Sequence, residues 1–84
     1  MRFKAIVYVK LKEGYSDPEG ETTAKALKGL GYKVIDVRVS KAYRILLEAA
    51  DAAEAERLIE EMSQRLLSNP TKDDYRYEIS EVEC

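Results

Sequence analysis

Val34-Ile35-Asp36-Val37-Arg38-Val39-Ser40-Lys41-Ala42-Tyr43-Arg44-Ile45-Leu46-Leu47 is the stretch whose reading decides the fold. Two alternating runs meet inside it. Ile35, Val37 and Val39 share one face, with Asp36 and Arg38 opposite, and Tyr43, Ile45, Leu47 and Ala49 share another. Alternation with period two marks half-buried strands, and a gap this short between them implies an antiparallel hairpin. Register then selects the loop. A two-residue loop at Ser40-Lys41 pairs Val39 with Ala42 and puts Arg44 beside Val37, which mixes the faces. A three-residue loop, Ser40-Lys41-Ala42, or a bulge with the same effect, pairs Val39 with Tyr43 and Val37 with Ile45 and is the reading preferred here.

On the N-terminal side of this stretch, residues 2–12 alternate. Phe3, Ala5, Val7, Val9 and Leu11 point one way, and Arg2, Lys4, Ile6, Tyr8, Lys10 and Lys12 the other. Asp17-Pro18 then opens a helix: Asp17 caps free amides, and Pro18 suits the first helical position, where its missing N–H costs nothing. Ala24, Leu27 and Leu30 keep helical spacing, and Gly31 is a natural C-terminal cap. On the C-terminal side, Asp51 begins a second helix whose apolar face is Ala55, Leu58, Ile59, Met62 and Leu66, ended by Ser68-Asn69-Pro70. Tyr75, Tyr77 and Ile79 alternate with Arg76, Glu78 and Ser80 in a last strand. The order is β-α-β-β-α-β over a single domain spanning residues 1–84. Right-handed crossovers around the hairpin give an α+β, ferredoxin-like sandwich: a four-stranded antiparallel sheet in spatial order 4-1-3-2 with both helices on one face.

Composition limits what such a domain can do. Eighty-four residues bury about 63% of their unfolded surface, so the core is thin and a partner or second copy is expected. The net charge of −2 argues against a nucleic-acid partner. There is no His, the commonest general acid–base group. Cys84 is the one thiol, with no imidazole to activate it, so no catalytic residue and no cysteine-based metal site are assigned. No apolar run has the length of a membrane span and no signal-peptide pattern precedes the first strand, so a cytoplasmic location without membrane partners is expected.

Several residues still invite a chemical reading. Asp51, Glu54, Glu56, Glu60 and Glu61 gather on the second helix, but Arg57 and Arg65 are interleaved with them, which favours a solvated face over a Mg²⁺ site. Asp17-Pro18-Glu19-Gly20 reads as a capped helix start rather than an anion site, because two carboxylates stand there. Tyr8, Tyr43, Tyr75 and Tyr77 raise RNA stacking, but Lys41-Ala42-Tyr43-Arg44-Ile45-Leu46 lacks the Gly-aromatic pattern that such sheets carry. The sheet face away from the helices is more informative. Ile6, Tyr8 and Leu46 lie at its centre, ringed by Arg38, Arg44, Glu48, Arg76 and Glu78, as in a protein interface. Self-association through Ile6, Tyr8 and Leu46 is the expectation, as a dimer or a tetramer built from two dimers.

The chain resembles the PurS family, the small subunits of bacterial and archaeal phosphoribosylformylglycinamidine (FGAM) synthase. The likeness runs through Val7-Tyr8-Val9, Asp17-Pro18-Glu19-Gly20, Ala26-Leu27 with Leu30-Gly31-Tyr32, and Val37-Arg38-Val39-Ser40-Lys41. It continues through Met62, Leu66-Leu67-Ser68-Asn69-Pro70 and Asp74-Tyr75-Arg76-Tyr77-Glu78-Ile79. The order and spacing of these pieces carry it. Where the family usually has Gly this chain has Ser40, which is less at ease with a positive φ at a hairpin. The loop Gly14-Tyr15-Ser16 is also less apolar than is usual there.

The resemblance implies a non-catalytic subunit of an ATP-dependent ligase complex in purine biosynthesis. It would join the glutaminase PurQ to the synthetase PurL and support ammonia transfer. The complex converts FGAR, ATP, glutamine and water to FGAM, ADP, phosphate and glutamate; ATP and Mg are used by the complex and no cofactor is bound by this chain. Arg38, Lys41 and Arg76, with Tyr75, Tyr77, Asp17 and Gly20, are the residues of the family-like runs expected to meet the partner subunits. The alternative is a free-standing, ACT-like regulatory domain that binds a small molecule, with Gly14 and Gly20 a weak echo of its glycine-containing loops. Ligand-induced thermal shift of the isolated protein separates the two.

Overall fold

The computed structural model describes residues 1–82, and Cys84 lies outside them. Strand β1, Arg2–Leu11, is central, flanked by β2, Ser40–Glu48, and β3, Asp73–Val82, both antiparallel to it. Helix α1 covers Pro18–Gly29 and helix α2 covers Ala52–Met62, continued by a π-helical turn, Ser63–Leu67. The α+β class holds, as do the antiparallel pairing and the 4-1-3 adjacency of the expected strand order.

The alternation of β1 becomes the core. Phe3, Ala5, Val7 and Val9 are buried, and Ala55 and Ile59 of α2 close over them with Leu47 and Ala49. Helix α2 starts as a reciprocal cap. The Glu54 amide donates to the Asp51 carboxylate at 2.8 Å, and the Ala50 amide donates to Glu54 at 3.0 Å. Its end differs from the sequence expectation. Ser63 is buried, its hydroxyl donating to the Ile59 carbonyl at 2.8 Å, and both the amide and the hydroxyl of Ser68 donate to the Ser63 carbonyl. The wider π turn moves the apolar face along by one residue. Leu67 therefore packs on the core, while Leu66, expected there, stands 83% exposed.

The larger correction concerns the hairpin. Ser40, Lys41 and Ala42, the expected loop, pair with Lys10, Val9 and Tyr8 of β1. The sheet therefore has three strands, in order β2-β1-β3. A tight hairpin needs residues at positive φ. Only Gly14 and Gly31 adopt positive φ among the described residues, and Ser40, Lys41 and Ala42 are all poor candidates for it. Continuing the ladder along β1 as far as Lys10 satisfies the same backbone groups without strain.

Residues 32–39 consequently run back from α1 with no turn, bend or ladder partner. With α1 they form an arm. Of the two helices expected over the sheet, α2 packs there within the chain, whereas α1 stays with the arm and buries only Gly20. The Cα radius of gyration is 16.6 Å, against about 12 Å for a compact chain of this length.

Ile59→Ala removes a fully buried side chain at the centre of the α2–sheet contact. It is expected to cost about 2–5 kcal/mol, read as a lower urea midpoint with unchanged m-value.

Candidate assembly surface

The arm leaves the sheet through a joint built on Asp17. This residue caps α1: the Gly20 amide donates to its Oδ1 at 2.9 Å. Its Oδ2 accepts from the amide of Val39 at 2.7 Å, on the returning segment. The carboxylate is 6% exposed and thus joins the start of the helix to the residue just before β2. Gly20 fits against the returning chain so closely that a Cβ would collide with the Val37 carbonyl oxygen. These backbone amides, with a smaller contribution from Arg38, hold the Asp17 carboxyl below its ordinary value of 3.8, against the opposing effect of desolvation.

Arg38 and Lys41 flank this joint. The Arg38 guanidinium donates to the Tyr15 carbonyl at 3.3 Å, and the Tyr15 hydroxyl donates to the Thr71 carbonyl at 3.2 Å. Lys41 lines a cleft with Lys10, Lys72, Asp17, Glu19 and Asp73. Three cations and three carboxylates line it beside Val9, Leu11 and Val39, so its charges balance and no nucleophile–base pair stands there.

Arg76 lies elsewhere, on the open sheet face. Its guanidinium sits 4.1 Å from the centroid of the Tyr8 ring, a cation–π contact. Ile6 stands between Arg44 and Glu78 across the two ladders, and Leu46, beside Lys4, is 64% exposed. Leu46 thus lies diagonally across from Ile6, on the sheet face that also carries Tyr8.

Tyr75 and Tyr77 face the other way, towards α2. Their rings lie parallel with centroids 6.4 Å apart, and the Tyr75 hydroxyl donates to Glu60. That bond raises the Tyr75 phenol's pKa; burial, then the charges of Glu60 and Glu56, raises that of Tyr77. The Tyr75 hydroxyl ties β3 to the helix, and Tyr77 packs against the core. The acidic residues of α2 are also engaged locally: Arg57 pairs with Glu61 at 3.1 Å and with Glu54 at 4.0 Å. No group of three or more potential metal-ligating side chains occurs among the described residues.

The residues expected to meet partners thus fall in three places: the arm joint, the open face and the α2 side of β3. The alternation of Ile35, Val37 and Val39 was visible in the sequence, but only their position beyond the end of the sheet shows them as unpartnered. Ile35 is 96% exposed and Leu30 75%. Tyr32, also exposed, adds to the same apolar surface.

An apolar arm on a small sheet defines an assembly subunit, a chain whose surface is built to be covered by another. The family model for PurS, "Phosphoribosylformylglycinamidine (FGAM) synthase", matches residues 4–81. The chain is 53% identical to subunit PurS of Archaeoglobus fulgidus over 84% of its length and 90% of that protein. It is 41% identical to subunit PurS of Bacillus subtilis over 95% of both chains. Among solved structures, Thermus thermophilus PurS superposes with a TM-score of 0.89 at 36% identity, covering 99% of this chain and 100% of that one. A chain of the PurLQS structure from Thermotoga maritima does so with a TM-score of 0.87 at 26% identity, covering 95% and 99%. The chain belongs to the PurS family, the small non-catalytic subunits of FGAM synthase.

The lowered Asp17 carboxyl makes stability pH-dependent with a definite sign. Its contribution is fully present above the ordinary value of 3.8 and is lost as pH falls through the lower folded value. Urea titrations between about pH 2 and 5 are expected to show a steeper loss for the wild type than for Asp17→Asn, which cannot titrate.

Proposed function

We propose that this chain is the bridging subunit of a cytoplasmic FGAM synthase, joining a PurQ-type glutaminase to a PurL-type synthetase, and that it acts as a homo-oligomer. The likeness to a chain of the Thermotoga maritima PurLQS structure over nearly its whole length supports the bridging role. ATP and Mg belong to the synthetase reaction of the complex.

The arm is the observation that carries self-association. The chain exposes 6488 Å², about 1,400 Å² more than a compact chain of its mass. Two such excesses fall in the range of obligate homodimer interfaces. The outer edge of β2 is unpaired in the chain, and a strand is missing from the sheet on that side. A second copy's residues 33–39 would fill that edge, and its α1 would lie beside α2 over the half-buried Tyr43 and Ile45. Exchange restores the four-stranded order 4-1-3-2 and puts two helices on one face. The Ile6, Tyr8 and Leu46 patch is then free for contact between dimers, which would give the tetramer.

Light scattering at micromolar concentration is expected to show a dimer or tetramer; a 9.6 kDa particle overturns the self-association reading. Arg38 and Lys41 at the arm joint, with Arg76 on the open face, are the cations offered to the partner subunits. The double variant Arg38→Ala/Lys41→Ala is expected to need about tenfold more protein for half-maximal glutamine-dependent FGAM formation in the reconstituted complex, because a desolvated charge pair is lost. Activity with added ammonia is expected to survive. Unchanged glutamine-dependent activity at limiting concentration places the bridge elsewhere.

A further inference from the structure

The arm could leave the sheet at any angle if only a covalent chain held it. Two connections cross between the sheet and α1: the loop 12–17 and the return at Val39–Ser40. Asp17 joins both. One carboxylate oxygen is used by the helix cap, as in many helices. The other is spent on the Val39 amide, 22 residues later, at 2.7 Å. A cap needs only one acceptor, so the second bond is an addition to the helix start with a separate consequence. It holds Val39 in line with Ser40, whose neighbour in the ladder is Lys10.

Gly20 acts on the same joint from the helix side. Its bare Cα lets the first turn of α1 lie against the Val37 carbonyl. The Glu21 amide donates to the Asp17 carbonyl at 2.9 Å and completes the turn. The outgoing helix and the returning segment are therefore bonded to each other where both meet the sheet. At the far end the Tyr32 amide donates to the Leu27 carbonyl at 3.1 Å, with Gly31 at φ +97°, so the arm is closed at its tip as well.

We propose that Asp17 is a positioning residue: through Val39 it splices the two limbs of the arm at the sheet edge and holds the arm in line with β2, the direction that the arm-exchanged dimer needs. This rests on the exchange reading above for its consequence, but the splice itself is a property of one chain. Asp17 and Val39 both stand at the base of the arm, one on each limb, between the end of β1 at Leu11 and the start of β2 at Ser40. A carboxylate bond to a backbone amide is among the stronger hydrogen bonds, and here it is part-buried, with Asp17 6% exposed.

Asp17→Ser separates capping from splicing. Serine keeps a good N-cap oxygen for Gly20 but has no second oxygen for Val39. In a Cys84→Ser background, spin labels at Lys33→Cys and Lys4→Cys, both exposed positions, report the arm-to-sheet distance within one chain when labelled protein is diluted with unlabelled. One narrow distance is expected with Asp17 present. With Asp17→Ser, a broadened or second distance is expected, together with a dimer dissociation constant raised about tenfold and helical circular dichroism unchanged. Gly20→Ala, which pushes Val37 away from the helix, is expected to broaden the same distance and serves where Asp17→Ser folds poorly. Unaltered distance and dissociation constant in both variants overturn the proposal. A wild-type monomer overturns the exchange reading alone, and the distance measurement then still decides whether Asp17 fixes the arm.

Discussion

The antiparallel ladder between β1 and β2 runs through residues 40–42 without a break, and the remaining architecture depends on that continuity. Ser40 pairs with Lys10 where a turn was expected. Each backbone group on that side of β2 is satisfied by a neighbour in β1 rather than by a hairpin. Once the ladder continues, residues 32–39 cannot lie on their own sheet. They and α1 must project, with Leu30, Tyr32 and Ile35 in water.

The same continuity leaves complementary needs within one molecule. The arm has apolar surface without a cover, and the sheet has an unpaired edge at β2. An apolar surface left exposed costs free energy in proportion to its area, and an open edge is a template for another strand. In the exchange proposed above, a second copy would answer both, because it would bring the segment that this chain has displaced. Asp17, Asp51, Glu54, Glu60 and Glu61 are engaged in caps, ion pairs and a phenol contact, while Arg38 lies at the joint and Arg76 on the open face.

Asp17 illustrates how a residue with an ordinary local role acquires a global one. In sequence it is an N-cap. In the structure its second oxygen reaches 22 residues along the chain and joins the start of α1 to the segment that returns to β2. Tyr75 behaves similarly. It reads as one member of an alternating strand, yet its hydroxyl meets Glu60 of α2 and fixes the helix over the sheet.

Local rules determined the strand at residues 2–11, both helix starts with their caps, the apolar face of β1 and the α+β class, because alternation and capping are properties of a few neighbouring residues. The family was likewise legible, through runs such as Asp17-Pro18-Glu19-Gly20 and Asp74-Tyr75-Arg76-Tyr77. The partner-facing residues were legible only as types: nothing local tells Arg76, on the open face, from Tyr75 and Tyr77, turned towards α2. Tertiary structure decided the fate of Ser40–Ala42 and the place of Leu66. A turn and a continued strand suit those three residues almost equally by pattern, and a π turn leaves no clear signature in residue spacing. The choice was made by what each alternative finds to pair with: Arg2 to Lys10 of β1 for the strand, and the hydroxyls of Ser63 and Ser68 for the π turn. Those partners are distant in sequence or revealed only by the fold, so the geometry of the arm became readable only once the chain was in three dimensions.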